Sequence, residues 1–435
     1  MIFIFYFQNY SIYLINDDVL IERMLSGRDT GQPSSIVPFI SIILAKIVAT
    51  LYSIFGIKIS IFGLLLIGVN IISMLVLLNL SIYLKDFYKI FVGLFIIVII
   101  LPTTLISPTF TITSLLAQGI GCLALAIYRV NDGKNTLFYI ANFFLVFFGF
   151  LIRPETFFGI LLFIFPLITL YLLINDRRNY KFLFNLLFFY AALNIIEKVT
   201  FYFLVQENTN AYKYLQFTDL RGSLSFTPAF LKAQQLVIAG EVNNSPLSNV
   251  DFILLQNWHV FDRSVFNYDN LIYIVSFVSN SLGIKGFFNS NFFQVLERFN
   301  TEANSFYQFF IVTTIVYIIL AINMIKRNNF IYFTIVMSSY AIGFYYLSAV
   351  ARLPYRTIFP FAILLVLSTF LLFNLNFLRI KKLPFVALLI SLGIFTITFH
   401  INDEFGFKKV ISNNNNKIKF FKNRDDIILK ELNKF

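Results

Sequence analysis

Two adjacent carboxylates, Asp17 and Asp18, are the first residues in the chain that could do chemistry, and they directly follow a short apolar segment. One carboxylate of such a pair can accept a proton from a substrate hydroxyl while the other binds a cation or orients a loop. Acids that simply end a hydrophobic segment at a membrane surface would give the same pattern. The turn residues that follow, Gly27, Gly31 and Pro33, favour a tight, ordered turn over a plain helix. Both acids are therefore candidate catalytic residues.

Arg153 and Glu155 lie on either side of Pro154, between two apolar runs with almost no loop. A guanidinium at this position suits a phosphate or pyrophosphate, because its planar fork donates two parallel hydrogen bonds to one anion. The alternatives are a local Arg153–Glu155 ion pair or a side chain that reaches lipid headgroups. Charges this near to hydrocarbon are costly, so both residues are candidates for substrate binding.

A second basic motif contains Arg352, Tyr355 and Arg356, at the junction of two apolar segments. Two arginines and a tyrosine there could clamp an anionic lipid headgroup. On the topology predicted below, these arginines lie on the side of the membrane that basic residues usually avoid. That position favours a binding role over a purely structural one.

Trp258, His259 and Asp262 place an indole, an imidazole and a carboxylate within five residues of a long polar segment. A sugar ring can stack on the indole and bond to the carboxylate or imidazole, although packing in a folded loop explains the same residues. One imidazole beside one carboxylate is a weak indication of a metal. Because the single cysteine, Cys122, lies in an apolar run, we predict no Cys-based metal site, and a divalent cation stays open as a cofactor.

The composition identifies the environment in which these residues act. The chain has 435 residues, of which 58% are hydrophobic and 13% are charged, whereas soluble domains carry about 25% charged residues. A water-soluble enzyme is therefore excluded, and the pattern predicts a polytopic membrane protein. The net charge of +12 comes from basic residues scattered in ones to threes, which does not indicate nucleic-acid binding.

The apolar segments that position the candidate residues are long enough to cross a membrane. About 20 apolar residues span the hydrocarbon core, since each adds about 1.5 Å to a helix and the core is about 30 Å thick. The sequence predicts an all-α bundle of eleven transmembrane helices, of which the first is short. Their ranges are 2–16, 60–84, 90–106, 110–128, 137–152, 155–174, 183–205, 305–325, 330–350, 357–374 and 383–400.

Segment 37–56 is also long enough to cross, but it carries Lys46, Thr50 and Ser53. If this segment does not cross, the loops on one side of the membrane collect most of the basic residues, as the positive-inside rule requires. We therefore predict a helix at the extracytoplasmic interface. The chain then begins inside the cell and ends outside it.

The segments divide into four parts. Residues 1–205 form a seven-span module that includes the interfacial helix, 206–304 an extracytoplasmic loop or cap, 305–400 four further spans, and 401–435 a charged, solvated tail. Within the loop, 227–238 and 293–304 have helical patterns. Glu197 and Lys198, near the end of the seventh span, are most simply an internal pair.

The order of these features resembles the GT-C superfamily of membrane glycosyltransferases. The resemblance is carried by an acid pair after the first span, an interfacial helix, an arginine motif and a large external loop after the seventh span. The stretches that carry it are NDDVLIERMLSGRDTGQP, LYSIFGIKISIFGLLL, LIRPE and NWHVFDRSVFNYDNL. They are also similar to multispanning bacterial proteins of surface-polysaccharide type, and the likeness covers most of residues 10–360.

The resemblance implies a catalytic acid in the first external loop, here Asp17 or Asp18, that deprotonates the acceptor hydroxyl. It also implies that an arginine such as Arg153 or Arg352 holds the phosphate of the leaving lipid, and that the transfer inverts the anomeric centre. The implied partners are a polyprenyl-phosphate-linked sugar, a glycan or lipid acceptor and membrane lipids, without nucleic acid. The implied location is the bacterial plasma membrane, with the active face extracytoplasmic.

Two other functions remain open. A polysaccharide polymerase or ligase would also combine many spans with a large external loop and arginines at the external face. A flippase or transporter would place charged residues near the membrane midplane, with broken helices and internal repeats. The predicted spans are almost free of charge at mid-depth, which favours a glycosyltransferase over a transporter.

Overall fold

A computed structural model of the protein describes part of the chain. The main described ranges are 16–28, 31–81, 108–130, 136–175 and 180–206. Shorter pieces are 104, 213, 215–218, 220, 234–240, 247–248, 251–252, 267–273, 276, 334, 338, 341, 360–361, 363–364 and 367. Regular structure in these residues is helical throughout, without a strand, which confirms the all-α class for the described part.

The five main ranges contain eight helices. They are α1 (Asn16–Ser26), α2 (Ile42–Phe55), α3 (Ile61–Ser81), α4 (Phe110–Val130), α5 (Thr136–Ile152), α6 (Thr156–Phe163), α7 (Phe165–Asn175) and α8 (Tyr180–Gln206). Helices satisfy their own backbone hydrogen bonds, which an apolar medium requires. The apolar runs of this sequence therefore fold as helices.

Helix α4 is the centre of the described bundle. Its side chains are buried from Phe110 to Tyr128, and it packs against α3, α5, α6 and α7. Glycines bring α4 and α5 close together: a Cβ at Gly121 would lie 2.7 Å from Val146, and one at Gly149 would lie 2.8 Å from the side chain of Gln118. Small residues at such contacts allow two helix backbones to approach.

Helices α3, α4 and α8 are long and apolar enough to cross a membrane, judged by length and composition. They confirm helices in the predicted spans 60–84, 110–128 and 183–205. Much of the surface of α8 is exposed and apolar, including Phe184, Phe188, Ile195 and Phe203. Such a surface suits contact with lipid, as the prediction of a membrane protein requires.

The predicted span 155–174 consists of two consecutive helices, and its crossing of the membrane stays a prediction. Helix α6 ends at Phe163 and α7 begins at Phe165, with Ile164 between them. Pro166 lies at the second position of α7; it has no N–H to donate, and its ring clashes with the carbonyl of residue 162 in a continuous helix. Regular helix is therefore interrupted at Ile164, while hydrogen bonds from the Ile164 N–H to the Ile160 carbonyl and from the Ile168 N–H to the Ile164 carbonyl continue across this position.

Segment 37–56 forms α2, a helix with two different faces. Its buried face includes Leu44, Val48 and Tyr52, whereas Lys46 and Ile47 are exposed on the other side. This amphipathic division is what a helix packed along the side of a bundle requires. Its place at the membrane surface remains a prediction.

Much of the remaining prediction lies outside the described residues. Of span 357–374, Phe361, Ile363, Leu364 and Leu367 are described and buried in the same core as α4. Of the predicted loop helices, 227–238 is described and helical from Gln234 to Ile238. Wholly or almost wholly outside are 2–16, 90–106, 293–304, 305–325, 330–350, 383–400 and 401–435, so the count of eleven spans stays a prediction.

Candidate functional site

The acid pair lies in the first turn of α1, so a helix rather than a turn surrounds it. The predicted turn begins later, at Gly27 and Gly31, which have φ values of 69° and 77°. A Cβ at Gly27 would lie 2.2 Å from the carbonyl carbon of Gln32. Only glycine fits that position, and the turn it permits directs the chain from α1 towards α2.

Asp18 is fully buried and links α1 to the beginning of α4. Its Oδ1 accepts a hydrogen bond from the backbone N–H of Phe110, the first residue of α4, over 2.8 Å. The first N–H groups of a helix have no partner within the helix, and the helix dipole places positive charge there. Asp18 supplies an acceptor for one of these N–H groups, and its acidic side chain lies at the positive end of the helix dipole. The side chain of Asp17 lies outside the described part.

Arg153 reaches the same end of α4 from the other side. One guanidinium nitrogen, Nη1, donates to the Thr111 hydroxyl, and Nη2 donates to the Glu155 carboxylate over 3.1 Å. The guanidinium carbon lies 4.9 Å from the centre of the Phe110 ring and 5.8 Å from that of Phe39. Aromatic faces attract cations, so the guanidinium is held by two rings, a hydroxyl and a carboxylate.

Phe39 adopts a backbone conformation that is uncommon for its residue type. Its φ is 71°, a value that costs an L-residue roughly 1 kcal/mol or more. The ring lies 6.3 Å from that of Phe110, with 29° between the two planes. The strained residue thus contributes one of the two rings that contact Arg153.

A buried polar network holds the backbone of Arg153 against α4. The Thr156 hydroxyl donates to the Arg153 carbonyl over 2.6 Å and lies 2.7 Å from the Ser114 hydroxyl. The Gln118 amide donates to the Thr156 hydroxyl over 2.6 Å. The sequence reasoning missed this network. Its signal was polar residues at 111, 114 and 118, a spacing that puts them on one face of a helix.

Glu22 is a further carboxylate that the sequence reasoning missed. It accepts a hydrogen bond from the Tyr52 hydroxyl, whose oxygen accepts one from the Phe62 N–H over 3.1 Å. Burial, followed by the negative charge of Glu22, raises the pKa of Tyr52 well above its usual range. Tyr52 therefore stays a neutral donor, and the chain of bonds joins α1, α2 and α3.

The interpretation of Glu197 and Lys198 as an internal pair is wrong. The Glu197 carboxylate accepts hydrogen bonds from the Ser41 hydroxyl and from the Ile42 N–H, the latter over 2.8 Å. Ile42 is the first residue of α2, so Glu197 occupies the position at which a carboxylate stabilises a helix N-terminus. Helix α8 is thereby attached to α2.

The structure therefore brings Asp18, Arg153 and Glu155 to one end of the described bundle. The other predicted binding residues are not described. They are Trp258, His259, Asp262, Arg352, Tyr355 and Arg356, all of which lie outside the described residues.

Cofactor binding has few candidate residues in the described part. Within those ranges no three His, Cys, Asp or Glu side chains lie close enough together to hold a metal ion. The one cysteine, Cys122, is buried, with its Sγ 3.6 Å from the Tyr190 hydroxyl. The divalent cation considered from the sequence stays a prediction.

Comparison with known proteins gives no relative. No model of a protein family matches the chain, no curated protein is significantly similar to it, and no solved structure has a significantly similar fold.

Proposed function

We propose that the protein is a GT-C-type integral membrane glycosyltransferase. It transfers a sugar from a polyprenyl-phosphate donor to a glycan or lipid acceptor at the extracytoplasmic face of the bacterial plasma membrane. The observation that supports this proposal most is that Asp18 and Arg153 both contact Phe110, so the first turn of α1, which carries Asp17, lies at the same end of α4 as Arg153. A carboxylate and a guanidinium at the end of an apolar helix are the groups that acid–base chemistry on a lipid phosphate needs.

Arg153 binds the phosphate of the lipid donor in this proposal. Its contacts with Thr111 and Glu155 use only part of the guanidinium, which has further N–H groups for a ligand. The rings of Phe39 and Phe110 fix its plane. A guanidinium whose position is fixed before the reaction stabilises the negative charge that collects on the leaving phosphate as the sugar departs.

The two acids take different roles. Because the carboxylate of Asp18 is buried and bonded to the N-terminus of α4, we assign it the positioning of α1. Asp17 is the proposed base. It removes the proton from the acceptor hydroxyl as the hydroxyl oxygen bonds to the anomeric carbon, and the bond from that carbon to the phosphate oxygen breaks with its electron pair on the phosphate.

The location of the site determines the type of donor. Nucleotide sugars are made in the cytosol, so a transferase that acts on the extracytoplasmic face takes its sugar from a lipid carrier. The long apolar helices of the described bundle suit a donor that stays in the membrane. Trp258, His259, Asp262, Arg352, Tyr355 and Arg356 are the proposed additional contacts of sugar and lipid.

Two single substitutions test the proposal. Asp17→Asn removes a general base and is expected to reduce transfer by about a hundredfold or more. Arg153→Gln removes the guanidinium that binds the phosphate and is expected to reduce transfer by a similar factor. The measurement is transfer of labelled sugar from a polyprenyl-phosphate donor by purified protein in lipid vesicles.

Asp269→Asn is the matched control, because it neutralises an exposed acid in the large loop and is expected to keep full activity. Full activity in Asp17→Asn would remove the proposed base. Transfer of a lipid-linked oligosaccharide in place of a single sugar would indicate a polymerase or ligase. Uptake of labelled substrate into the vesicles would indicate a transporter.

A further inference from the structure

We propose that Glu155 is a resident counter-ion of Arg153, which a phosphate-bearing lipid must displace before it binds. The inference rests on the proposed function, since it takes Arg153 as the phosphate site. It changes the role of Glu155 from a substrate contact to a group that competes with substrate. The carboxylate thereby sets how tightly the site holds anions.

The geometry shows which side of Arg153 is accessible. The Arg153 side chain is 16% exposed, whereas that of Glu155 is 61% exposed, and the two are joined over 3.1 Å. Thr111, Phe39 and Phe110 contact the guanidinium from within the bundle. An anion that arrives from lipid or water therefore meets the guanidinium on the side that Glu155 occupies.

The Glu155 carboxylate has no comparable part in holding the fold. The residue lies at the N-cap position of α6, yet its side chain makes no capping hydrogen bond there. Within the described residues, the contact of this carboxylate is the one with Arg153. Replacement of the carboxylate by a neutral amide is therefore expected to leave α6 and its packing unchanged.

The strength of the pair allows displacement. An ion pair with one exposed partner and one largely buried partner, at the surface of the bundle, changes an equilibrium constant by about fivefold. A phosphate offers the guanidinium more charge and more acceptor oxygens than a single carboxylate oxygen, and it can accept two parallel hydrogen bonds. Phosphate therefore replaces the Glu155 carboxylate on Arg153, and the weaker Arg153–Glu155 ion pair is lost.

The test measures binding of farnesyl phosphate, a short polyprenyl phosphate, to purified protein in nanodiscs made of zwitterionic lipid. Glu155→Gln is expected to bind it about two- to fivefold more tightly than the wild-type protein. Asp269→Asn, which removes the same charge from an exposed side chain elsewhere, is expected to bind as the wild type does. Farnesol, which lacks the phosphate, reports any binding that does not involve the anion.

A double substitution shows whether the effect passes through Arg153. In an Arg153→Gln background, Glu155→Gln is expected to have no further effect on affinity. Equal affinity of wild type and Glu155→Gln, with binding still lost in Arg153→Gln, would overturn the counter-ion role and leave the proposed function intact. An equal gain in Asp269→Asn would overturn it as well, because net charge would then explain the change. Binding that does not depend on Arg153, or no binding in any variant, would overturn the phosphate site and the counter-ion role together.

Discussion

Phe110 contacts an acidic side chain through its backbone and a basic side chain through its ring. Its backbone N–H donates to the Asp18 carboxylate, and the Arg153 guanidinium lies against its ring. A single residue thus lies between a buried acidic side chain and a cation that is held by aromatic faces. The Asp18 side chain and the guanidinium each have their own partner, which offsets part of the cost of placing these polar groups beside apolar helices.

The positioning role of Asp18 predicts a difference between two substitutions. Asp18→Asn keeps an oxygen that can accept the Phe110 N–H, and asparagine caps helices about as well as aspartate does. Asp18→Ala leaves that N–H buried without an acceptor, which is expected to cost about 1–3 kcal/mol. The measurement is the apparent thermal unfolding midpoint in detergent, with Asp269→Ala as the exposed control. Equal midpoints for the two Asp18 variants would contradict the positioning role.

At the scale of elements, α4 serves as the scaffold for the site. Its first residue binds Asp18, its second binds the Arg153 side chain, and Ser114 and Gln118 hold Thr156 and the backbone of Arg153. The close approach of α4 and α5 at Gly121 and at Gly149, the latter near the end of α5, positions that end, from which Arg153 follows directly. Packing of these two helices therefore determines where the guanidinium lies.

This packing predicts that alanine substitutions at two helical glycines have different effects on stability. A Cβ at Gly121 would lie 2.7 Å from Val146, whereas a Cβ at Gly68 in α3 would have nothing within 4 Å. Gly121→Ala overpacks the α4–α5 contact and is expected to destabilise the fold by about 1–3 kcal/mol. Gly68→Ala is expected to be neutral or slightly stabilising, since alanine favours helix. Thermal unfolding in detergent measures both, and equal loss in the two variants would contradict the close approach.

At the scale of the whole molecule, local patterns predicted the helices, and they did not predict the partners of buried polar groups. The apolar runs 110–128 and 183–205 form helices, as their length and apolar composition predict. The sequence did suggest the Arg153–Glu155 ion pair, as an alternative to phosphate binding, because the two residues are only two positions apart. By contrast, Asp18 and Phe110 are 92 positions apart, and Glu197 and Ser41 are 156 apart. Such contacts depend on how the helices pack, which residue spacing along one segment does not determine.

The topology predicts that the two ends of α4 lie on opposite sides of the membrane. Its 21 residues extend about 30 Å, the thickness of the hydrocarbon core. Ser53 on α2 and Thr136 at the start of α5 are both exposed, and the predicted topology puts Ser53 outside the cell and Thr136 inside. In a Cys122→Ala background, a membrane-impermeant maleimide added to intact cells is expected to label Ser53→Cys and not Thr136→Cys. Labelling of Thr136→Cys only after the membrane is permeabilised would support the predicted orientation. The opposite pattern would place the Arg153 site on the cytoplasmic face, where nucleotide sugars are available, and would remove the reason for a lipid-linked donor.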